Sequence, residues 1–246
     1  MQKKINNVNI NYTFNNINSD TTLVLLHGWG QNIEMMNPIG DNYTKYFNVL
    51  TIDLPGFGKS EEPPHAWTIY EYADFINELI KSLNLNKIIL IGHSFGGRVG
   101  LIYASKYKVE KLICLASPYC KELKKLPLKT KIYKILKKVF FLKWIANIMK
   151  KYIGSTDYKN ASEVMRGVLV KSINVEMTED VKKIKCPTLL IWGTMDTAVP
   201  ISRAYELENL IKDSGVVAYE GATHYAYLER LSAVITVLDS FFNIRR

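Results

Sequence analysis

The turn Gly92-His93-Ser94-Phe95-Gly96 follows directly on the apolar run Ile88-Ile89-Leu90-Ile91 and leads into the helical stretch Arg98 to Tyr107. A serine held between glycines at a strand-to-helix corner adopts a strained backbone, because only small neighbours avoid clashes there, and its hydroxyl is left exposed. Few architectures contain such a corner. The letters Gly-x-Ser-x-Gly recur by chance, so the strand before them and the helix after them carry the weight.

Along the rest of the chain, short apolar runs rich in β-formers alternate with segments of helical period. That alternation predicts an α/β class, with a mostly parallel sheet flanked by helices. Strands are expected at Val8 to Phe14, Thr22 to His27, Phe47 to Asp53, Lys87 to Gly92, Lys111 to Ala116, Thr188 to Gly193 and Val216 to Glu220. Helices are expected at Thr68 to Leu83, Phe95 to Lys106, Ile201 to Ile211 and Tyr225 to Phe242. In the first of these, Tyr70, Ala73, Asn77 and Ile80 recur three and four apart and give one face to the sheet. The Asn-rich first eighteen residues are expected to hold an exposed edge or turn. Between Pro118 and Pro187 the rhythm breaks: no strand is evident, only helical sequence of changed composition. This reads as a helical cap, residues 119–186, inserted into a single core made of 1–118 and 187–246. A chain of 246 residues suits that single-domain plan.

Several classes drop out. With 48% hydrophobic and 22% charged residues the chain is ordinary for a folded globule. The basic start Met1 to Asn7 continues into Asn-rich sequence instead of an apolar run, and no uninterrupted apolar stretch reaches about 18 residues, so a cytoplasmic location is expected. Cys114, Cys120 and Cys186 form no Cys-x-x-Cys unit, which argues against a disulfide framework, a zinc site and a cysteine nucleophile. The run Asp53 to Ser60 ends in Gly-Lys-Ser, but position 53 is Asp where a phosphate loop requires Gly. Asp53 is instead expected to shape a tight loop.

A serine hydroxyl becomes an effective nucleophile only when a base removes its proton and a third group fixes the tautomer of that base. His224 lies just beyond the last expected strand and Asp196 just beyond the one ending at Gly193. Ser94, Asp196 and His224 thus project from the C-terminal edge of one sheet, where ligands bind in open α/β folds, and in the chain order of one particular serine-hydrolase architecture. Taken singly, His224 could be a capping residue and Asp196 a helix N-cap near Ile201. Their conjunction favours a catalytic triad. The oxyanion of an attacked ester needs backbone donors placed in advance. The N–H of Phe95 is one candidate and that of Trp29, in His27-Gly28-Trp29-Gly30, the other. His27 and His93 are expected to give supporting hydrogen bonds, and His65 to face solvent. No metal or organic cofactor is called for.

The set His-Gly-Trp-Gly, Asp-Leu-Pro-Gly-Phe-Gly-Lys-Ser, Gly-His-Ser-Phe-Gly-Gly, Trp-Gly-Thr-Met-Asp and Gly-Ala-Thr-His, spread from residue 27 to 224, resembles the successive motifs of the α/β-hydrolase superfamily. The resemblance is to the branch of carboxylesterases, carbon–carbon bond hydrolases and pimeloyl-carrier-protein methyl esterases, and it implies the same triad. Relatives with Asp at the nucleophile position are epoxide hydrolases and dehalogenases; Ser94 argues against both chemistries. The absence of a His-Gly-Gly-Gly loop argues against large triglyceride substrates.

The basicity is local. Lys121 to Lys151 holds eleven lysines and one glutamate, a net of +10 in a chain of +9 overall, interleaved with Leu126, Ile132, Phe140, Trp144 and other apolar residues. One reading is a cap segment whose apolar side roofs the site while its lysines stay in water. Others are docking to an anionic membrane surface or to an acidic acyl carrier protein. No nucleic-acid motif accompanies the lysines. The expected activity is cleavage of small to medium carboxylic esters through an acyl-enzyme on Ser94. Carrier-bound esters or thioesters, carbon–carbon bond cleavage, and a non-catalytic ligand receptor or interaction module on the same fold are the alternatives.

Overall fold

The computed structural model describes residues 1–121 and 161–245. Eight strands form one sheet in the order β1-β2-β4-β3-β5-β6-β7-β8. They are β1 (Gln2–Ile5), β2 (Val8–Asn15), β3 (Thr21–Leu26), β4 (Asn48–Ile52), β5 (Lys87–His93), β6 (Lys111–Leu115), β7 (Thr188–Gly193) and β8 (Ser214–Tyr219). β1 with β2 and β2 with β4 are antiparallel; every other neighbouring pair is parallel. The seven expected strands are present within one or two residues at each end. The eighth, β1, follows from an edge hairpin: Asn6 and Asn7 take positive φ of 45° and 65° and turn Gln2–Ile5 back onto β2.

The inner parallel strands β3 to β7 are buried on both faces, whereas the edge strand β8 is only half-buried. In β3, Val24 and Leu26 join one apolar cluster while Leu23 and Leu25 join the other. The first cluster lies under α1 (Ile69–Ser82) and α2 (Phe95–Lys106) and extends to α3 (Glu163–Asn174) and α4 (Ser202–Leu210). The second packs Met36, Ile39 and Tyr43 with α5 (Leu231–Phe242). α1 begins where its sequence says it should. Thr68 accepts from the Glu71 N–H and Glu71 returns a bond to the Thr68 N–H, a reciprocal cap.

The expected helix Tyr225 to Phe242 is two helices, Ala226–Glu229 and α5, because Arg230 leaves helical geometry at φ −124° and ψ 35°. Its guanidinium instead donates to the Glu220 carbonyl behind the last strand. Between β6 and β7, residues 122–160 lie outside the described part, as do Lys124 to Lys151 of the basic stretch. The remainder of this interval packs on the core through Met165, Val168, Met177 and Val181. No helix among the described residues is long and apolar enough to cross a membrane.

Asp53, just past β4, shapes the edge from which the site is built. One carboxylate oxygen accepts from the Ile33 N–H at 2.8 Å; the other accepts from the Lys59 N–H at 2.9 Å and the Asn11 amide at 2.8 Å. Gly58, at φ +57°, leaves the room this carboxylate occupies, since a Cβ there would stand 2.3 Å from it. Asp53→Ala should lose about 3 kcal/mol of unfolding free energy by urea titration, because the three N–H donors of Asn11, Ile33 and Lys59 lose their acceptor at once. Asp53→Asn, which keeps one acceptor, should lose less.

Candidate active site

The turn after β5 is strained and enforced. Ser94 sits at φ 48° and ψ −105°, a region that costs a non-glycine residue on the order of 1–3 kcal/mol unless its surroundings dictate it. They do. A Cβ on Gly96 would stand 2.4 Å from the Leu26 carbonyl oxygen, and one on Gly92 would stand 2.5 Å from that of Gly96. The N-terminus of α2 is thereby pressed against the end of β3. The Ser94 N–H donates to Leu115 O at 2.9 Å and the Gly96 N–H to His27 O at 3.0 Å, which ties the turn to β6 and β3.

Asp196 and His224 come to the same edge from β7 and β8. The two loops are joined by the Met195 N–H donating to Ala222 O at 2.9 Å. Asp196 is 5% exposed, and its two oxygens have different partners. Oδ1 accepts from the N–H groups of Ala198 and Val199, both at 2.8 Å. Oδ2 lies 2.7 Å from His224 Nδ1. The carboxylate can only accept, so Nδ1 carries the proton and Nε2 presents its lone pair. Asp196 does not cap α4, whose N-cap is Ile201 without a side-chain bond. Among the described residues no hydrogen bond joins Ser94 Oγ to His224.

The other histidines have different surroundings. His27 is fully buried: Nδ1–H donates to Gly28 O at 2.7 Å, and Nε2 accepts the Leu54 N–H at 3.0 Å. Burial pushes its pKa down from 6.5 to about 4. His93 is equally enclosed, and burial, followed by the neighbouring His224, pushes it down to about 3. His65 is exposed and lies 2.8 Å from Glu71. Trp29 packs edge-on against Phe57 and Phe95 with ring centroids 4.9 and 5.4 Å away. Neither the Trp29 nor the Phe95 N–H has an acceptor among the described residues. Gln31 drew no attention in the sequence, yet its Oε1 accepts the Gly28 N–H at 2.8 Å and shapes the Trp29 loop. A lone glutamine near glycines carries no pattern that would have found it. A surface cavity of about 260 Å³ beside Asn48, Asn84 and Lys87 lies at the opposite, N-terminal ends of the strands.

A family model described as alpha/beta hydrolase fold matches residues 21–133, and one described as TAP-like protein matches 169–244. The chain is 25% identical to a pimeloyl-[acyl-carrier protein] methyl ester esterase of Aliivibrio fischeri, over 90% of this chain and 93% of that one. It is 29% identical to a proline iminopeptidase of Saccharolobus solfataricus, over 98% of this chain and 91% of that one. Among solved structures it is similar to the enol-lactonase of Burkholderia xenovorans LB400, with a TM-score of 0.79 at 20% identity over 99% of this chain and 100% of that chain.

The buried histidines set the acid limit. An unfolded chain protonates them near 6.5, whereas the folded chain resists until about 4 for His27 and about 3 for His93. Between these values the unfolded state binds more protons, so their stability contribution is full above pH 6.5 and is lost as pH falls. Urea titrations from pH 7.5 to 5 should show a falling midpoint, with each ring contributing up to about 1.4 kcal/mol per pH unit. His27→Gln should reduce that slope by about one proton.

Proposed function

Because the chain belongs to the α/β-hydrolase superfamily, we propose that it hydrolyses carboxylic esters of small to medium acyl groups, with Ser94 as nucleophile, His224 as base and Asp196 as the orienting acid. The observation that carries this reading is the 2.7 Å contact of His224 Nδ1 with the enclosed Asp196 carboxylate, on the sheet edge from which the strained Ser94 turn projects. The contact leaves His224 Nε2 as the proton acceptor. Ser94 Oγ attacks the ester carbonyl as its proton passes to Nε2, and Asp196 stabilises the imidazolium. The N–H groups of Trp29 and Phe95 receive the oxyanion. The tetrahedral intermediate collapses to an acyl-enzyme, and His224 returns the proton to the departing alcohol. Water, deprotonated by the same Nε2, then releases the acid and restores Ser94. Residues 119–186 form the cap of this enzyme in our reading, and no cofactor takes part in any step.

Hydrolysis of carrier-bound acyl esters is a second reading. The esterase of Aliivibrio fischeri is named for such a substrate, and this chain concentrates its positive charge between Lys121 and Lys151. Turnover of an acidic carrier-bound ester should then fall severalfold between 50 and 300 mM salt, while p-nitrophenyl butyrate hydrolysis stays level.

Initial rates on p-nitrophenyl acetate, butyrate and octanoate test the main reading. Ser94→Ala should lose at least about a thousandfold in kcat on the preferred chain length. Asp196→Asn should lose on the order of 10³ to 10⁴, because the amide NH2 would face Nδ1 and turn the proton of His224 toward Ser94. Equal, slow rates in the folded wild type and Ser94→Ala, with no labelling of Ser94 by a fluorophosphonate, would leave a non-catalytic binding module.

A further inference from the structure

His93 is the last residue of β5 and immediately precedes Ser94, yet its ring takes no part in the chemistry proposed above. It is 1% exposed and lies between two loops that are 131 and 62 residues away in sequence. On one side Nε2 lies 3.1 Å from the backbone carbonyl of His224. On the other, Nδ1 lies 3.1 Å from Oε1 of Gln31, the oxygen that also accepts the Gly28 N–H. The ring stacks at a tilt on His224, Tyr225 and Tyr227, with centroids 4.9, 5.4 and 4.8 Å away. Gly28 approaches so closely that a Cβ there would stand 2.7 Å from Nδ1.

The His224 carbonyl and Gln31 Oε1 both accept, and a neutral imidazole carries one proton; with that proton on Nε2, His93 donates to His224 and its contact with Gln31 is packing, not a hydrogen bond. That bond fixes the main chain of His224, while Asp196 fixes its ring. A base held by its ring alone can still pivot with its loop, and a displacement of about 1 Å at a reacting group can cost on the order of 100-fold in rate. We propose that His93 is a positioning residue: from inside the nucleophile turn it holds the His224 main chain by one hydrogen bond and backs the Gly28–Gln31 segment that carries Trp29. The base and the oxyanion donor are thereby set relative to Ser94 by the residue bonded to Ser94. This inference rests on the triad reading and adds a residue whose effect runs through His224.

Three substitutions separate this role from mere filling of space. His93→Gln places an amide N–H the same number of bonds from Cα as Nε2 and keeps the donor to His224. His93→Asn is one bond shorter and reaches only the Nδ1 position, and His93→Leu fills the space without a donor. Each is measured for kcat and KM on the best p-nitrophenyl ester, for the rate of Ser94 labelling by a fluorophosphonate, and for thermal unfolding. Leu and Asn should lose about 10- to 100-fold in kcat and in labelling rate, with KM within about twofold; Gln should stay within about threefold of wild type. Wild-type kcat in a folded Leu or Asn variant, or a Gln variant as impaired as Asn, overturns the proposal. Should Leu fail to fold, the comparison of Gln with Asn decides alone. A wild type that neither turns over nor labels is a failure of the triad reading and is seen before any His93 variant is made.

Discussion

The packing of the helix after Ser94 onto the main chain of β3 is the contact on which the site geometry depends. It exists because Gly92, Gly96 and Gly97 lack side chains: a Cβ on any of them would stand within 2.5 Å of a backbone oxygen or of Ser117. With the helix this close, the chain can leave β5 only through a positive φ at Ser94. Backbone bonds from the Ser94 and Gly96 N–H groups to Leu115 and His27 then fix the ends of three adjacent strands relative to the hydroxyl. The strain at one residue is maintained by close packing of its neighbours, the condition under which such strain persists.

The loops at that edge bury apolar residues such as Leu54, Phe57 and Val199, and are held as well by enclosed polar side chains. Asp53 fastens the loops that begin at Ile33 and Lys59; His27 receives the Leu54 N–H; Gln31 receives the Gly28 N–H; Asp196 receives two N–H groups of its own loop. Each side chain satisfies a main-chain donor that would otherwise be buried unpaired, which is worth far more than an exposed ion pair such as Lys81 with Glu78. These hydrogen bonds act beside the apolar packing of Trp29 against Phe57 and Phe95.

The sheet was legible because parallel strands buried on both faces read as continuous apolar runs, as Leu23 to Leu26 and Ile88 to Ile91 do. β1 was not, because Gln2–Ile5 is short, carries two lysines and buries only Ile5. The break at Arg230 was hidden because apolar spacing continues through it. Ser94, Asp196 and His224 were singled out by residue type and position after a strand, and the structure places each just past a strand's C-terminal end at one edge of the sheet. Gln31 and the tie from His93 to His224 could not be found in this way, since both are pairings across long stretches of chain that leave no local pattern. The basic stretch from Lys121 to Lys151 is plain in the sequence and falls, beyond Lys121, outside the described residues.

Three histidines reach the same sheet edge, and only their partners separate their roles. His27 has both ring nitrogens engaged by main chain, donating to Gly28 O and accepting from Leu54 N–H, so it has neither a proton to give nor a lone pair to offer. His93 gives its proton to a carbonyl that cannot return it. Of the three, His224 alone has a carboxylate on one ring nitrogen, and its Nε2 has no partner among the described residues. The feature that suits a histidine to base chemistry is therefore an anionic partner on one nitrogen and an open lone pair on the other. Burial, which at His27 outweighs the charge of nearby Asp53, pushes the rings of His27 and His93 toward neutral hydrogen-bonding posts.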